Sequence, residues 1–160
     1  MVFRFRHALA ALLALPLAAC IPAAAPPAGM PPTTKVVTYD MGGNFAARLR
    51  SMDRLRADQT PVAITGSCAS ACTFFLDLPR SCVTPDALLM FHGPQKEEDD
   101  GRVVDLHPDD FAVYSKMVAD HYPPRLRAWF MVHAVHKTGR DMATLTGAQA
   151  VALGARPCQM

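Results

Sequence analysis

The sequence predicts an α/β fold in which a mainly parallel sheet is flanked by helices. Two short runs rich in β-branched or apolar residues, 36–39 and 61–65, are separated by a segment whose apolar side chains recur at helical spacing. A strand, helix and strand of these lengths form a right-handed crossover, which places the two strands parallel in one sheet. Later apolar runs at 82–83 and 87–92 predict further strands. A chain of 160 residues is long enough for one modest domain.

The beginning of the chain predicts export. Arg4 and Arg6 precede an apolar run, 8–19, that is too short to span a bilayer comfortably and has the layout of a secretory signal peptide. The run ends in Leu-Ala-Ala before Cys20, which resembles the lipobox of a bacterial lipoprotein. We therefore expect cleavage after residue 19, lipidation of Cys20 with palmitate-type chains, and a periplasmic domain anchored to a membrane of the cell envelope. An ordinary signal peptide and an uncleaved anchor are the alternatives.

A tether is predicted between the lipid and the domain. Residues 20–34 are rich in Pro, Ala and Thr without apolar periodicity, which is typical of an extended linker, so the domain is expected to span 35–160. The leader holds two of the 16 Lys and Arg residues and none of the 14 Asp and Glu residues, so the mature chain is formally neutral. A neutral chain without a basic stripe argues against nucleic-acid binding.

The first elements of the domain lead to two small-residue turns. The run 36–39 predicts a strand that ends at Gly42 and Gly43. An amphipathic helix is expected at 44–57, with one apolar face made of Phe45, Leu49, Met52 and Leu55. The strand 61–65 then leads through a small-residue turn to a buried helix at 70–78.

The second half of the domain is predicted to be mainly helical. After the strands at 82–83 and 87–92, the polar segment 95–105 predicts a solvated loop, with a lid or a patch for basic substrates as the alternative. Helices are expected at 109–121, 123–137 and 146–153, the last with Thr146 as N-cap and Gly154 as its stop. The apolar residues of the first two helices are expected in the core: Met117, Trp129, Phe130 and Met131.

Four cysteines remain when Cys20 is set aside, and an even number in an exported domain predicts two disulfides with three possible connectivities. We favour Cys68–Cys72, which spans a single tight turn, and Cys82–Cys158, which ties down a tail that would otherwise fray. A zinc site is the alternative, but this cysteine spacing matches common zinc sites poorly. No metal and no cofactor are expected.

A serine and a histidine occupy positions suited to nucleophilic catalysis. Ser70 lies in Ala-Ser-Ala at a strand-to-helix turn, where its hydroxyl would be exposed beside helix N–H groups. His92 ends the strand in Phe-His-Gly-Pro, from which it could act as general base. Ser67 is a rival nucleophile, and a packing role is the alternative for each of these side chains.

The order of these motifs resembles the proteolytic subunit of the Clp protease, in the ClpP/crotonase superfamily. The resemblance covers about residues 36–155 and includes a strand opening with Arg-x-Cys-Val-x-Pro and a final Arg-Asp segment at Arg140. It implies a catalytic triad of Ser70, His92 and Asp141. It also implies an oxyanion hole formed by the N–H groups of Gly42 and Ala71.

The resemblance implies an exported serine hydrolase of peptidase type, acting on a peptide or protein. The chain departs from the family by lacking a strand and helix before the Gly-Gly strand, so an abbreviated sheet is expected, with an edge that a second copy could cover. Neither an ATP-driven unfoldase nor coenzyme A is expected as a partner outside the cytoplasm. The alternatives are a non-catalytic envelope lipoprotein that uses a degenerate ClpP-like fold for binding or assembly, and an esterase or acyl transferase.

Overall fold

The computed structural model of the protein describes residues 33–159. Five strands form one sheet, and two further strands form a separate hairpin. The strands of the sheet are β1 Lys35–Asp40, β2 Val62–Ala69, β3 Ser81–Val83, β4 Leu88–Phe91 and β7 Ala143–Thr146, and the hairpin joins β5 Lys96–Glu97 to β6 Val103–Val104. The order in the sheet is β1-β2-β4-β7, with β3 paired to the start of β2 on the side of β4. All pairs in this sheet are parallel except β4 with β7.

Helices flank this sheet, which confirms the predicted α/β class. Helix α1 begins after Asn44, whose side chain accepts a hydrogen bond from the N–H of Ala47, and α4 begins with a capping box between Thr146 and Gln149. Helices α2 and α3 each begin with a proline, which lacks the N–H that a first helical position leaves unpaired. The helices are α1 Phe45–Ala57, the 3₁₀ helix Ser70–Asp77, α2 Pro108–Ala119, α3 Pro124–His133 and α4 Gly147–Ala152.

One apolar core lies between the sheet and the helices. Met52 of α1 is fully buried, and Phe45, Leu49 and Leu55 pack around it, as the helical spacing predicts. The expectation that Met117 and Met131 are core residues is wrong, because their side chains are 40% and 44% exposed. Helices α2 and α3 are short and each buries a narrow face. The fully buried side chains include Met52, Ile64, Phe75, Leu89, Phe91, Leu126 and Phe130.

Three elements differ from the sequence-based expectations. Strand β2 extends to Ala69, directly before Ser70, because it pairs with β1 and then with β4 along its length. The polar segment 95–105 contains the β5–β6 hairpin. Strand β7 was not predicted; it is short, half-exposed and antiparallel to β4, and local pattern alone does not distinguish it from a loop.

Both disulfides that the sequence favours are present. Cys68 at the end of β2 is bonded to Cys72 in the 3₁₀ helix, with their Cα atoms 5.4 Å apart. Cys82 of β3 is bonded to Cys158, four residues after Gly154. The bond from Cys158 N–H to the carbonyl of Val83 adds backbone pairing to this second bridge.

The predicted signal peptide 1–19, the lipidation of Cys20 and almost all of the tether 20–34 lie outside the described residues, so these and the domain boundary at 35 stay predictions. Between residues 33 and 159, no helix combines the length and the apolar character needed to cross a bilayer.

Candidate active site

Ser70 lies at the sharp turn between β2 and the 3₁₀ helix, in a backbone conformation that serine seldom adopts. Its φ is +54°, in the left-handed region. Such a conformation costs on the order of 1–3 kcal/mol and persists only where the surrounding structure holds it. Ser70 is one of the residues that line a cavity at this turn.

A buried hydrogen-bond chain holds the carbonyl of Ser70. The Thr73 hydroxyl donates to the Ser70 carbonyl oxygen at 2.7 Å, and the Tyr122 hydroxyl lies 2.7 Å from Thr73 Oγ1. Because the Thr73 proton is directed at the carbonyl, Tyr122 is the donor in the second bond. Burial raises the pKa of Tyr122, so its hydroxyl keeps this proton. The chain therefore links the serine turn to the segment between α2 and α3.

His92 follows β4 and contacts the serine directly. Its Nε2 lies 2.7 Å from Ser70 Oγ, and its Nδ1 lies 2.6 Å from the carbonyl oxygen of Gly93. A carbonyl can only accept, so Nδ1 carries the imidazole proton and Nε2 accepts from the serine hydroxyl. Burial lowers the pKa of His92, and the hydrogen bond to Gly93 opposes this in part. The imidazole is therefore neutral at pH 7, as a general base requires.

Asp141 does not orient His92, which corrects the triad that the family resemblance implies. Its carboxylate is 71% exposed and accepts from Lys137 Nζ at 2.7 Å. The two residues lie four apart in the segment between α3 and β7, so the carboxylate is paired within its own segment. The hydrogen bond from Nδ1 of His92 is accepted by the carbonyl oxygen of the next residue, Gly93.

The two glycines of the Gly-Gly turn have different roles, which the predicted oxyanion hole did not anticipate. The N–H of Gly42 donates to Asp40 Oδ1 at 2.9 Å, so it is not available as the predicted oxyanion donor. Gly42 instead permits close approach, because a Cβ there would lie 2.6 Å from Ser70 Cβ. Within residues 33–159, the N–H groups of Gly43 and Ala71 have no acceptor, and both residues line the cavity.

Arg48 stabilises this turn through hydrogen bonds. Arg48 Nη2 donates to Asp40 Oδ1 at 2.8 Å and to the carbonyl of Gly42 at 2.9 Å. Its guanidinium also lies over the ring of Phe75, 4.5 Å from the ring centre. The arginine lies on α1, the helix that follows the turn. An aspartate two residues before a Gly-Gly pair is the sequence signal that could have shown the first glycine N–H to be occupied.

The cavity beside Ser70 has a volume of about 710 Å³. Its wall is largely apolar and aromatic, with charged side chains contributed by Lys96, Glu97 and Asp110. The β5–β6 hairpin supplies part of this wall, so segment 95–105 is more than a solvated loop. The apolar side chains of the wall include Met41, Phe45, Phe74, Val103, Leu106, Tyr114, Val118 and Met142.

Metal-ligating side chains do not converge in the described part of the chain. No group of three His, Cys, Asp or Glu residues between 33 and 159 is arranged to hold a metal ion. Cys68, Cys72, Cys82 and Cys158 are all engaged in disulfides.

Comparison with known proteins gives a structural likeness. No family model matches the chain, and no curated protein matches it. Among solved structures, it is similar to 1510-N, a membrane-bound stomatin-specific protease determined as a mutant in complex with a substrate peptide. The two chains are 21% identical with a TM-score of 0.53, and the match covers 78% of this chain but only 59% of the protease chain. At this identity the likeness shows the fold alone, and it agrees with the mixed α/β architecture of this chain.

Proposed function

We propose that this protein is an exported, membrane-anchored serine hydrolase of peptidase type. The observation that carries the proposal is the 2.7 Å contact between His92 Nε2 and Ser70 Oγ, two residues that line the same cavity. A neutral imidazole that accepts from a serine hydroxyl is the arrangement that activates a serine nucleophile. The resemblance of the sequence motifs to the ClpP family and the protease activity named for the structural neighbour both support this chemistry.

The reaction would proceed through an acyl-enzyme. Ser70 Oγ attacks the substrate carbonyl carbon while its proton passes to Nε2 of His92, and the carbonyl oxygen becomes an oxyanion facing the N–H groups of Gly43 and Ala71. His92 then gives the proton to the leaving amine as the C–N bond breaks. Water, deprotonated by His92, attacks the acyl-enzyme and releases the acid and the free serine.

The orienting group behind His92 distinguishes this site from a Ser-His-Asp triad. The Gly93 carbonyl fixes the tautomer and the ring direction, but it carries no full negative charge to stabilise the imidazolium that forms. We therefore expect a slower hydrolase than one with a buried carboxylate at Nδ1.

The substrate that suits the cavity is a peptide with an uncharged, apolar side chain near the cleaved bond. The apolar and aromatic wall favours such a side chain because its burial removes apolar surface from water. The neighbouring protease was itself determined with a substrate peptide bound.

Location in the cell envelope is part of the proposal. Two disulfides in a domain of this size persist in an oxidising compartment. The sequence before the domain supplies the signal for export and the cysteine for lipid attachment, Cys20. A second copy that covers the edge strand β1 stays a possible partner.

A fluorophosphonate probe tests the proposal, because it labels only an activated serine. We expect labelling of the protein purified under oxidising conditions, and no labelling of Ser70→Ala. Ser67→Ala is the matched control, since Ser67 lies three residues earlier on β2, and this variant should label normally. Labelling that survives Ser70→Ala would show that the nucleophile is another residue.

The second candidate function is a non-catalytic envelope lipoprotein that uses this fold for binding. The missing carboxylate behind His92 favours it, because a decayed triad would lose that group. Wild-type protein that no probe labels, and that cleaves no peptide in a broad library, would favour this function over hydrolysis.

A further inference from the structure

The Cys68–Cys72 disulfide encloses the proposed nucleophile. The bonded cysteines lie two residues before and two residues after Ser70, so the bridge closes a short loop with the serine at its centre. Both cysteine side chains are fully buried. The bridge therefore acts on the backbone of the turn and is itself shielded from solvent.

The two ends of this loop are held by different parts of the fold. Cys68 is paired with Asp40 on β1 and with Leu89 on β4, so its backbone is fixed within the sheet. Cys72 lies in the 3₁₀ helix and belongs to the buried core. Between them, Ala69 gives the helix no side-chain cap, and Ser70 has its φ at +54°. The covalent link thus joins the strand to the helix across Ser70, which lies in a left-handed conformation.

We propose that the Cys68–Cys72 bridge is a positioning device for Ser70: it holds the serine hydroxyl on Nε2 of His92, and catalysis depends on it more than folding does. This inference rests on the proposed function. Without the bridge, the turn would be held by the Thr73 hydroxyl on the Ser70 carbonyl and by the close contact with Gly42. Those contacts restrain the turn but leave more backbone conformations open than a closed covalent loop does.

The second bridge supplies a matched control within the same chain. Cys82 and Cys158 are 76 residues apart in sequence, whereas Cys68 and Cys72 are four apart. In the loop-entropy view, the longer loop contributes more to stability. The tail bridge joins β3 to the C-terminal segment, and neither of its cysteines lines the cavity beside Ser70.

The experiment compares two double variants of the full chain. The elbow variant carries Cys68→Ala and Cys72→Ala, and the tail variant carries Cys82→Ala and Cys158→Ala. Three quantities are measured for each: the melting temperature, the rate constant of fluorophosphonate labelling, and the ¹⁵N chemical shift of His92 Nε2. Ser70→Ala gives the reference shift for an imidazole without its serine.

We expect the elbow variant and the tail variant to rank in opposite orders for the loss of melting temperature and for the loss of labelling rate. The melting temperature of the tail variant should fall further than that of the elbow variant. Its labelling rate and its Nε2 shift should stay at the wild-type values. The elbow variant should stay folded, label roughly 100-fold more slowly, and move its Nε2 shift toward that of Ser70→Ala, since small displacements of a reacting group carry penalties of this size. If the alanine pair does not fold, Cys68→Val with Cys72→Ala replaces it.

Three results would overturn the inference. These are an elbow variant that labels at the wild-type rate, an unchanged Nε2 shift in that variant, and activity losses that follow melting temperature in both variants. Failure of every elbow substitution to fold would also overturn it, because the bridge would then serve folding. A wild-type protein that no probe labels would refute the proposed function instead, and the Nε2 shift would still decide whether the bridge positions Ser70.

Discussion

At the scale of single residues, the contact between Ser70 and His92 depends on which imidazole nitrogen carries the proton. The Gly93 carbonyl selects Nδ1 for the proton and leaves Nε2 free to accept from the serine. Burial disfavours the doubly protonated ring, which would place a charge in a partly apolar cavity. The Gly93 carbonyl thus fixes the tautomer of His92, which is one of the roles that a carboxylate has in a triad.

The pH dependence of activity should reflect this burial. Only neutral His92 can accept the serine proton, so activity falls as pH falls through its pKa, which lies below the ordinary histidine value of 6.5. The acid limb of the labelling-rate profile is therefore expected below pH 6.5. A limb above that value would contradict the structure.

The same shift makes stability depend on pH. Unfolded His92 binds a proton more readily than folded His92, so the histidine contributes stability above pH 6.5 that is lost as pH falls below it. Urea unfolding of wild type and His92→Gln across this range should show a pH-dependent difference, because glutamine does not titrate there.

Replacing Asp141 should change the stability and the labelling rate little. Its carboxylate is exposed and pairs with Lys137, so Asp141→Asn removes a surface ion pair worth about 0–1 kcal/mol and no contact with His92. The labelling rate and its pH profile are expected to match those of wild type. A loss of several orders of magnitude would show that Asp141 moves to His92 in the reacting enzyme, as the family resemblance implied.

At the scale of elements, the β1–α1 turn is shaped by its fit against the serine turn. The carboxylate of Asp40 and the guanidinium of Arg48 hold Gly42 at a place where a Cβ would overlap Ser70. Gly43 lines the cavity, and among residues 33–159 its N–H has no acceptor. One glycine thus provides space, and the other provides the candidate donor.

The two glycines should respond differently to alanine. A methyl group at Gly42 would lie 2.6 Å from Ser70 Cβ and 2.9 Å from the carbonyl oxygen of Ala69, whereas one at Gly43 would meet no atom within 4 Å. We expect Gly42→Ala to lower stability by about 1–3 kcal/mol beyond Gly43→Ala, since a clash is added to the strain that both share. Chemical denaturation measures the difference, and equal losses would contradict this fit.

At the scale of the whole molecule, the two ends of the domain have different attachments. The Cys82–Cys158 disulfide joins the C-terminal segment to the sheet. The N-terminal strand follows a segment whose sequence predicts a lipid anchor. One lipid chain binds a membrane only marginally, whereas several give stable attachment. The predicted anchor would therefore decide where the cavity beside Ser70 meets a substrate.

Removal of Cys20, the predicted lipidation site, should release the protein from the membrane. In Cys20→Ser, we expect either stalled processing or movement of the protein from the membrane fraction to the soluble fraction, because the acceptor thiol is lost. Mass spectrometry and fractionation measure both outcomes. The Cys82→Ala and Cys158→Ala double variant is the control for a general effect of losing cysteines. Unchanged mass, cleavage and fractionation in Cys20→Ser would contradict lipidation.

Local pattern was sufficient for the crossover β1-α1-β2, the serine turn, the histidine at the end of a strand and the short-range pair Cys68–Cys72. Apolar spacing and turn residues determine such elements because they act over a few neighbouring residues. The pair Cys82–Cys158, 76 residues apart, followed instead from the even cysteine count and the expectation of a fraying tail. Pattern was insufficient for β7, a short strand that forms by pairing with β4.

The tertiary structure decided which hydrogen bonds form at the site. The sequence placed Ser70, His92, Asp141 and the glycines in family order, but that order did not show that Asp40 accepts from the N–H of Gly42. Nor did it show that the Gly93 carbonyl, not Asp141, accepts the hydrogen bond from Nδ1 of His92. Both acceptors lie within two residues of their donors in the sequence. The physical reason is that a donor has more than one candidate acceptor, and the packing of the fold decides which of them comes within about 3 Å.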